Sequence, residues 1–359
     1  MQIRMPNIAA QTQNTHGIAY RESLQKTKPI VYEKIQSFLN GMNDQTRICS
    51  IDIAYDWSCN LRCDHCFATS LEDRSGTARK FNLDRMKKVA DEADALGAFS
   101  ISLQGGEPLF WENLFDVIEV IDPKRFNLSI VTNGLLLDHN LAYKLKKHLV
   151  DRICISIDSG IPQEHDDFRN HEGLFLKAMS AIDACVEAGL VPHLHTVVTH
   201  QSLYSVGFNE IVSFAKKKEL GITVLIAIPA GEWRGNYDSL ITEEDSKYIR
   251  ELHLDYPPLR RDITPINGVD TGCRAVTYAL YITASGEVLP CPFLHFTLGN
   301  VFDNKLSDIL KKGHQISEFR EYQPKCLAGE DRDFIDKYVS KTFDCKDLPI
   351  EVEKIFTFS

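Results

Sequence analysis

From about residue 50 onward the chain alternates two kinds of apolar pattern. Short runs rich in Ile, Val and Leu recur as SIDIAYD (50–56), AFSISLQ (98–104), FNLSIVT (126–132), RICISID (152–158), PHLHTVV (192–198) and ITVLIAI (222–228). Each has the length and the β-branched content of a strand. Between them lie stretches whose apolar residues recur every three or four positions, the period of a helix with one buried face. These are NLDRMKKVADEADAL with Asn82 as its N-cap, LAYKLKKHL near residue 145, and LFLKAMSAIDACVEAG ending at Gly189. Six strands alternating with helices predict an α/β fold with a parallel sheet, and six units rather than eight predict a partial (β/α)6 barrel, open on one side. In parallel barrels the site gathers where the strands end at their C-terminal edge.

The flanks read differently. Residues 1–48 form a polar N-terminal extension with one predicted helix, IVYEKIQSFLNGM, and the run YPPLRRDITPINGVDTG (256–272) has the Pro and Gly content of a boundary. The expected organisation is therefore an extension (1–48), a barrel (49–260) and a smaller C-terminal domain (261–359). A chain of 359 residues suits one large domain plus a small one.

Composition narrows the function classes. A formal net charge of −10 argues against a protein that blankets phosphates with Lys and Arg, so no nucleic-acid partner is expected. No window approaches the ~18 apolar residues of a membrane span, and MQIRMPNIAAQTQNTHG lacks the apolar core of a signal peptide. A cytoplasmic, reducing compartment follows, where ten cysteines suggest metal ligands before disulfides.

Three of those cysteines crowd into SCNLRCDHCF: Cys59, Cys63 and Cys66 directly follow the first strand. Thiolates hold zinc or iron–sulfur clusters. A structural zinc site closes its tetrahedron with four protein ligands, whereas a cubane cluster held by three cysteines keeps one iron open to another ligand. A zinc knot completed by His65 or a distant residue, or small buried apolar cysteines, are the alternatives. Other strand ends carry polar groups as well. Gln104-Gly105-Gly106-Glu107-Pro108 follows the second strand, Thr132-Asn133-Gly134 ends the third, Ser156-Ile157-Asp158 ends the fourth, and Arg169 lies in EHDDFRNHEG. Paired glycines admit close backbone approach, and a carboxylate takes charge-assisted hydrogen bonds from an ammonium.

The C-x3-C-x2-C motif after a first barrel strand, with these strand ends in order, resembles the radical S-adenosylmethionine (radical SAM) superfamily over residues 50 to about 230. The resemblance implies a [4Fe-4S] cluster on Cys59, Cys63 and Cys66, whose open iron is chelated by SAM. Reductive cleavage of SAM then gives a 5′-deoxyadenosyl radical that abstracts hydrogen from substrate. It implies that His65 packs by the adenine and that Gly105, Gly106 and Glu107 receive the SAM amino group. Thr132, Asn133, Ser156 and Asp158 are implied to contact the ribose and methionine portions, and Arg169 the carboxylate. A flavodoxin- or ferredoxin-type electron donor is implied too.

In the tail, Cys273-x12-Gly286-x4-Cys291 within TGCRAVTYALYITASGEVLPCPF resembles the opening of a SPASM or twitch domain, which carries auxiliary iron–sulfur clusters. The local pattern is a β-hairpin with a Ser-Gly turn. The full SPASM cysteine run does not follow, since only Cys326 and Cys345 remain. One auxiliary [4Fe-4S] cluster on Cys273, Cys291, Cys326 and Cys345 is the expectation. Such enzymes include oxidoreductases acting on small polar sugar- or nucleoside-like molecules, and peptide maturases. An Asp that sulfatase maturases place after the second auxiliary cysteine is here Pro292, and the 48-residue lead-in is short for a leader-binding domain. A small polar substrate is therefore the main expectation, peptide modification the second, and a non-catalytic zinc or redox module the reading of a different class. His193 and His195 share one strand face and, with Glu232 and Arg234, are candidate substrate contacts. Cys154 and Cys185 are expected in the core, and Cys49 receives no role.

Overall fold

The computed structural model describes residues 15–41, 46–72, 76, 78–263 and 272–358. Two helices come first, α1 (Thr15–Thr27) and α2 (Pro29–Asn40), where the sequence pattern predicts one. Polar α1 shows no apolar stripe for the pattern to catch. The expected strands then follow as β1 (Ser50–Ala54), β2 (Ser100–Gln104), β3 (Asn127–Thr132), β4 (Arg152–Ser156), β5 (Val191–Val198) and β6 (Gly221–Ile226). Helices α3 (Leu83–Ala95), α4 (Leu114–Ile121), α5 (His139–Lys147), α6 (Pro162–Arg169), α7 (Leu174–Glu187) and α8 (Val206–Lys218) separate them. A further helix α9 (Glu243–Asp255) leads to a short β7 (Leu259–Arg261), within the run read from sequence as a boundary; residues 264–271 of that run lie outside the described residues.

Strands β1 to β7 pair in sequence order, all parallel. The tail hairpin β8 (Ala279–Ile282) and β9 (Glu287–Leu289) joins the same sheet, β8 pairing parallel with β1. The tail is thus continuous with the barrel sheet. Gly286 (φ +83) turns the hairpin, a conformation that side-chain-bearing residues rarely adopt. Helix α10 (Leu306–His314) follows.

Alternation sorts the strands into two faces. Ile51, Ile53, Ile101, Leu103, Leu128, Ile130, Ile153 and Ile155 are fully buried against the helices. Burial of each such side chain contributes roughly 1.5–3 kcal/mol. Asn82 caps α3 by accepting from Arg85 N–H at 2.8 Å, as its position predicts. At the N-terminal end of the strands α2 packs Val31, Ile35 and Phe38 on Cys49 and Phe99. Lys28 of the segment before it donates to Phe126 O and Leu149 O, each at 3.0 Å, and pairs with Asp151 at 2.5 Å. Cys49 therefore belongs to a small apolar floor under the barrel. No helix among the described residues is long and apolar enough to cross a membrane.

Candidate functional site

The chain leaves β1 at Ala54 and crosses the C-terminal edge of the sheet with Cys59, Cys63 and Cys66. Two hydrogen bonds tie this loop to the one after β2: Gly106 N–H to Asp56 O at 3.3 Å and Glu107 N–H to Ser58 O at 2.9 Å. The contact is so close that a Cβ on Gly106 would lie 2.3 Å from Ser58 O and 2.5 Å from Trp57 O. Behind the third cysteine, Glu232 N–H donates to Cys66 O at 3.1 Å, and Gly231 (φ +64) leaves no room for a side chain, its Cβ falling 2.1 Å from the same oxygen. The cysteine loop is thereby clamped from two sides by backbone.

Burial raises all three thiols above their ordinary range. Cys63 is pushed up to about 12, first by burial and then by Cys66 and Cys59, with Arg169 opposing. Three thiols that resist ionising singly need a positive centre to hold them as thiolates together, which suits an iron–sulfur cluster. Among the described residues no three of His, Cys, Asp or Glu form a ready single-ion site.

Glu107, 2% exposed, is held by Thr132 O–H to Oε1 (2.7 Å), Asn133 N–H to Oε2 (2.8 Å) and Leu109 N–H to Oε1 (3.0 Å). Burial nonetheless pushes it up to about 7, against the pull of those donors. A carboxyl so placed gains from an ammonium. Asn133 Nδ2 donates to Asn60 Oδ1 at 2.8 Å, and Asn60 Nδ2 stays buried without a partner. On the other side Asp158 accepts Arg169 Nε at 2.6 Å and Val197 N–H at 3.0 Å. Although burial opposes it, the Arg169 guanidinium brings Asp158 down to about 2. Arg169 is buried at the end of α6 and acts on Cys63 and Cys66, so its charge faces the cysteine loop. His65 stacks on Phe168 at 4.3 Å and 7°, with Trp233 at 5.9 Å from both rings. Its Nδ1 is buried and unpartnered, and burial followed by Arg169 lowers the ring to about 4.

The donor chemistry of the cysteines, the cradle at Gly105 and Gly106, and the orphaned His65 and Asn60 nitrogens all fit a cluster with SAM beside it. Thr132, Asn133, Asp158 and Arg169 converge here, while Ser156 stands one pleat lower on the inner face. Phe168 and Trp233 were not singled out in the sequence. Phe168 directly precedes Arg169, which is the only local sign of it.

In the tail, Cys273, Cys291 and Cys326 come together: the charge of Cys273 acts on both of the others, after burial, which raises all three. Glu330 secures Cys326 by accepting its N–H at 2.8 Å. Cys345 stands apart, half-buried with its Sγ 3.2 Å from Asp347 O, on the wall of an open cavity of ≈ 1450 Å³ that none of the other tail cysteines line. Glu232 and Arg234 line the same cavity, and the Glu232 charge reaches Cys66. Cys185 is packed in the core as expected, whereas Cys154 is buried on the inner, polar face of the barrel. Its register partner His193 shows that face: the ICISI alternation places Cys154 opposite to Ile153 and Ile155.

Residues 58–212 match the family model of the radical SAM superfamily, and residues 273–331 that of the SPASM iron–sulfur cluster-binding domain. An AdoMet-dependent heme synthase of Nitratidesulfovibrio vulgaris is 28% identical over 302 residues, which is 75% of this chain and 81% of that protein. The antilisterial bacteriocin subtilosin biosynthesis protein AlbA of Bacillus subtilis is 25% identical over 263 residues, 70% of this chain and 57% of its own. Among solved structures, Streptococcus suis SuiB bound to precursor peptide SuiA aligns with a TM-score of 0.60 at 18% identity, over 80% of this chain and 69% of that one. Native anSMEcpe with bound AdoMet aligns with a TM-score of 0.58 at 22% identity, over 78% and 83% respectively. At these identities the two structures speak for the fold.

Proposed function

We propose, from the premise that this chain belongs to the radical SAM superfamily and carries a SPASM iron–sulfur domain, that it oxidises or rearranges a small polar molecule seated inside the barrel. Its cofactors are iron–sulfur clusters and SAM, with one cluster on Cys59, Cys63 and Cys66 and one auxiliary cluster on Cys273, Cys291 and Cys326. When bound, these groups supply abstraction of hydrogen from an unactivated C–H and an outlet for the remaining electron, a net two-electron oxidation.

The protein's own part is positioning. Glu107 receives the amino group of SAM, Arg169 its carboxylate beside Asp158, and His65 with Phe168 forms a flat wall for the adenine. Thr132 and Asn133 hold Glu107 in place. The floor made by α2 and the two clamped loops leave entry at the C-terminal edge, which limits water around a reactive carbon centre. A flavodoxin- or ferredoxin-type donor supplies the electron.

The observation that carries a small polar substrate is the inner face of the barrel. Where packed parallel barrels fill the interior with branched apolar side chains, this one presents Ser102, Gln104, Ser156, His193, His195 and Thr223. Oxygen-free protein with both clusters should cleave SAM under strong reductant. Cys63→Ala is expected to abolish cleavage, and Cys291→Ala to keep part of it while losing the substrate product. Cleavage intact in Cys63→Ala would remove the assignment of the first cluster.

The second reading is peptide modification, favoured by the volume of the open, charge-lined cavity at Glu232, Arg234 and Cys345 and by the peptide-related relatives. A mass change in a co-expressed precursor peptide, with no small-molecule product, decides for it.

A further inference from the structure

The register propagates one inner face across the whole sheet. Asp52 is level with Ser102 and Tyr281; Cys154 with His193; Ser156 with His195, His195 with Thr223, and Thr223 with Arg260. Arg152 lies on that face next to Cys154, two residues earlier on β4. The strands thus aim two guanidiniums into the barrel. A third, Arg274, arrives from the segment before β8 and donates to Asp262 O at 3.0 Å.

Arg260 makes no ion pair or hydrogen bond with any described residue. It is half-buried in the barrel wall, and burial, then Arg152 and Arg274, lower its guanidinium to about 10. Of the acidic residues that the described strands put on this face, Glu287 on β9 is taken up by Thr297 and Asn300, and Asp52 is bonded to Gln104 and pushed up to about 6 by burial, with Arg274 opposing. Two guanidiniums, Arg152 and Arg274, act on Arg260, and among the described carboxylates Asp262 opposes them. His193 and His195 do not add positive charge, because burial and the two arginines keep both rings neutral. His193 is further tied to Thr223 Oγ1 at 2.8 Å. A half-buried guanidinium among like charges, with no partner of its own, gains from an anion that joins it.

We propose that the barrel interior beneath the SAM site is an anion subsite, in which Arg260, with Arg152 and Arg274, seats a carboxylate or phosphate of the substrate. The fork of a guanidinium binds either group through two hydrogen bonds. Arg260 shares the ladder row of Ser156, two residues before Asp158 on the same face. His195 shares the row of Arg260 and feels it together with Arg152 on one side and Arg169 and Asp158 on the SAM side. An anion held there anchors one end of a small molecule and presents its C–H bonds toward the SAM side. This rests on the radical SAM reading and narrows it to an anionic substrate.

The test uses cluster-loaded protein in chloride buffer, saturated with SAM, titrated calorimetrically with inorganic phosphate and, separately, with succinate. One of the two is expected to bind at one site per chain, and which one binds tells phosphate from carboxylate. Arg260→Gln is expected to weaken that affinity at least tenfold with iron and sulfide content retained, and Arg260→Lys to recover part of it. Asp52→Asn, which removes negative charge from the same face, is expected to tighten it. Absence of binding by both anions, equal affinity in Arg260→Gln, or an unchanged or weaker affinity in Asp52→Asn overturns the subsite. So does displacement of the anion by SAM, or loss of tail-cluster iron in Arg260→Gln with affinity intact, which would make the arginine a counter-charge to that cluster. SAM cleavage by the wild-type protein is measured in parallel; its absence sinks the enzyme reading, not the anion site.

Discussion

Burial pushes the Glu107 carboxyl up to about 7, so below that pH it stays protonated until a cation arrives. An ammonium seated against it returns it toward the ordinary carboxylate range. Below about pH 7 the free enzyme holds a proton that the complex does not, so SAM binding must release up to about one proton, and the release fades as pH rises through 7. Calorimetry of SAM binding at pH 6 in two buffers of different ionisation heat reads this directly. Identical enthalpies would mean that Glu107 does not receive the ammonium. Cys345 makes a second prediction at this scale. Cys273 acts on both Cys291 and Cys326, whereas Cys345 stands apart on the cavity wall, so Cys345→Ser should retain the iron content of the wild type. Loss of about half the iron, one cubane of two, would return Cys345 to the ligand set.

Elements place these residues through close backbone contacts that allow no side chain. At Gly231 both the positive φ and the 2.1 Å approach to Cys66 O exclude a Cβ, so Gly231→Ala should push the loop after β6 off the cysteine loop. The expected result is loss of the first cluster's iron, about half the total, with the tail cluster kept; unchanged iron would show that the clamp is dispensable. The sequence made the six main strands and the helix after Asn82 legible, because each carries a local period of its own. It left other elements dark for equally physical reasons. Strand β7 is three residues, Leu259–Arg261, inside a Pro-rich run, and its strand character comes from pairing with β6. The pairing of β8 with β1 joins residues more than two hundred positions apart, and no local pattern encodes it. The inner face was written in the alternation of SIDIA, SISLQ and PHLHTVV, yet His193 and His195 alone suggested it. Cys154 reads as a core residue because it stands between Ile153 and Ile155; Ser156, two positions on, marks the face it shares.

At the scale of the whole molecule, the tail is held to the barrel by a shared sheet and, among the described residues, by a buried ion pair. Arg261 on β7 donates to both oxygens of Glu330, at 2.8 and 2.9 Å, with both side chains only 9% exposed. Glu330 also accepts the N–H of Cys326 and the hydroxyl of Ser246 on α9. One carboxylate therefore fixes Cys326 relative to the last barrel strand. Arg261 neighbours Arg260 in sequence but faces the opposite way, toward Glu330 instead of the barrel interior. Removing one partner of a buried pair strands the other charge, which costs roughly 3–5 kcal/mol. Glu330→Gln should accordingly lower the urea midpoint strongly and loosen the tail cluster. The double variant Arg261→Met, Glu330→Leu removes both charges and should recover much of the stability, because the penalty lies in the unpaired ion. It should not recover the cluster, since the apolar side chain cannot accept the Cys326 N–H. Full iron in that double variant would show that the pair fastens the domains without positioning the ligand.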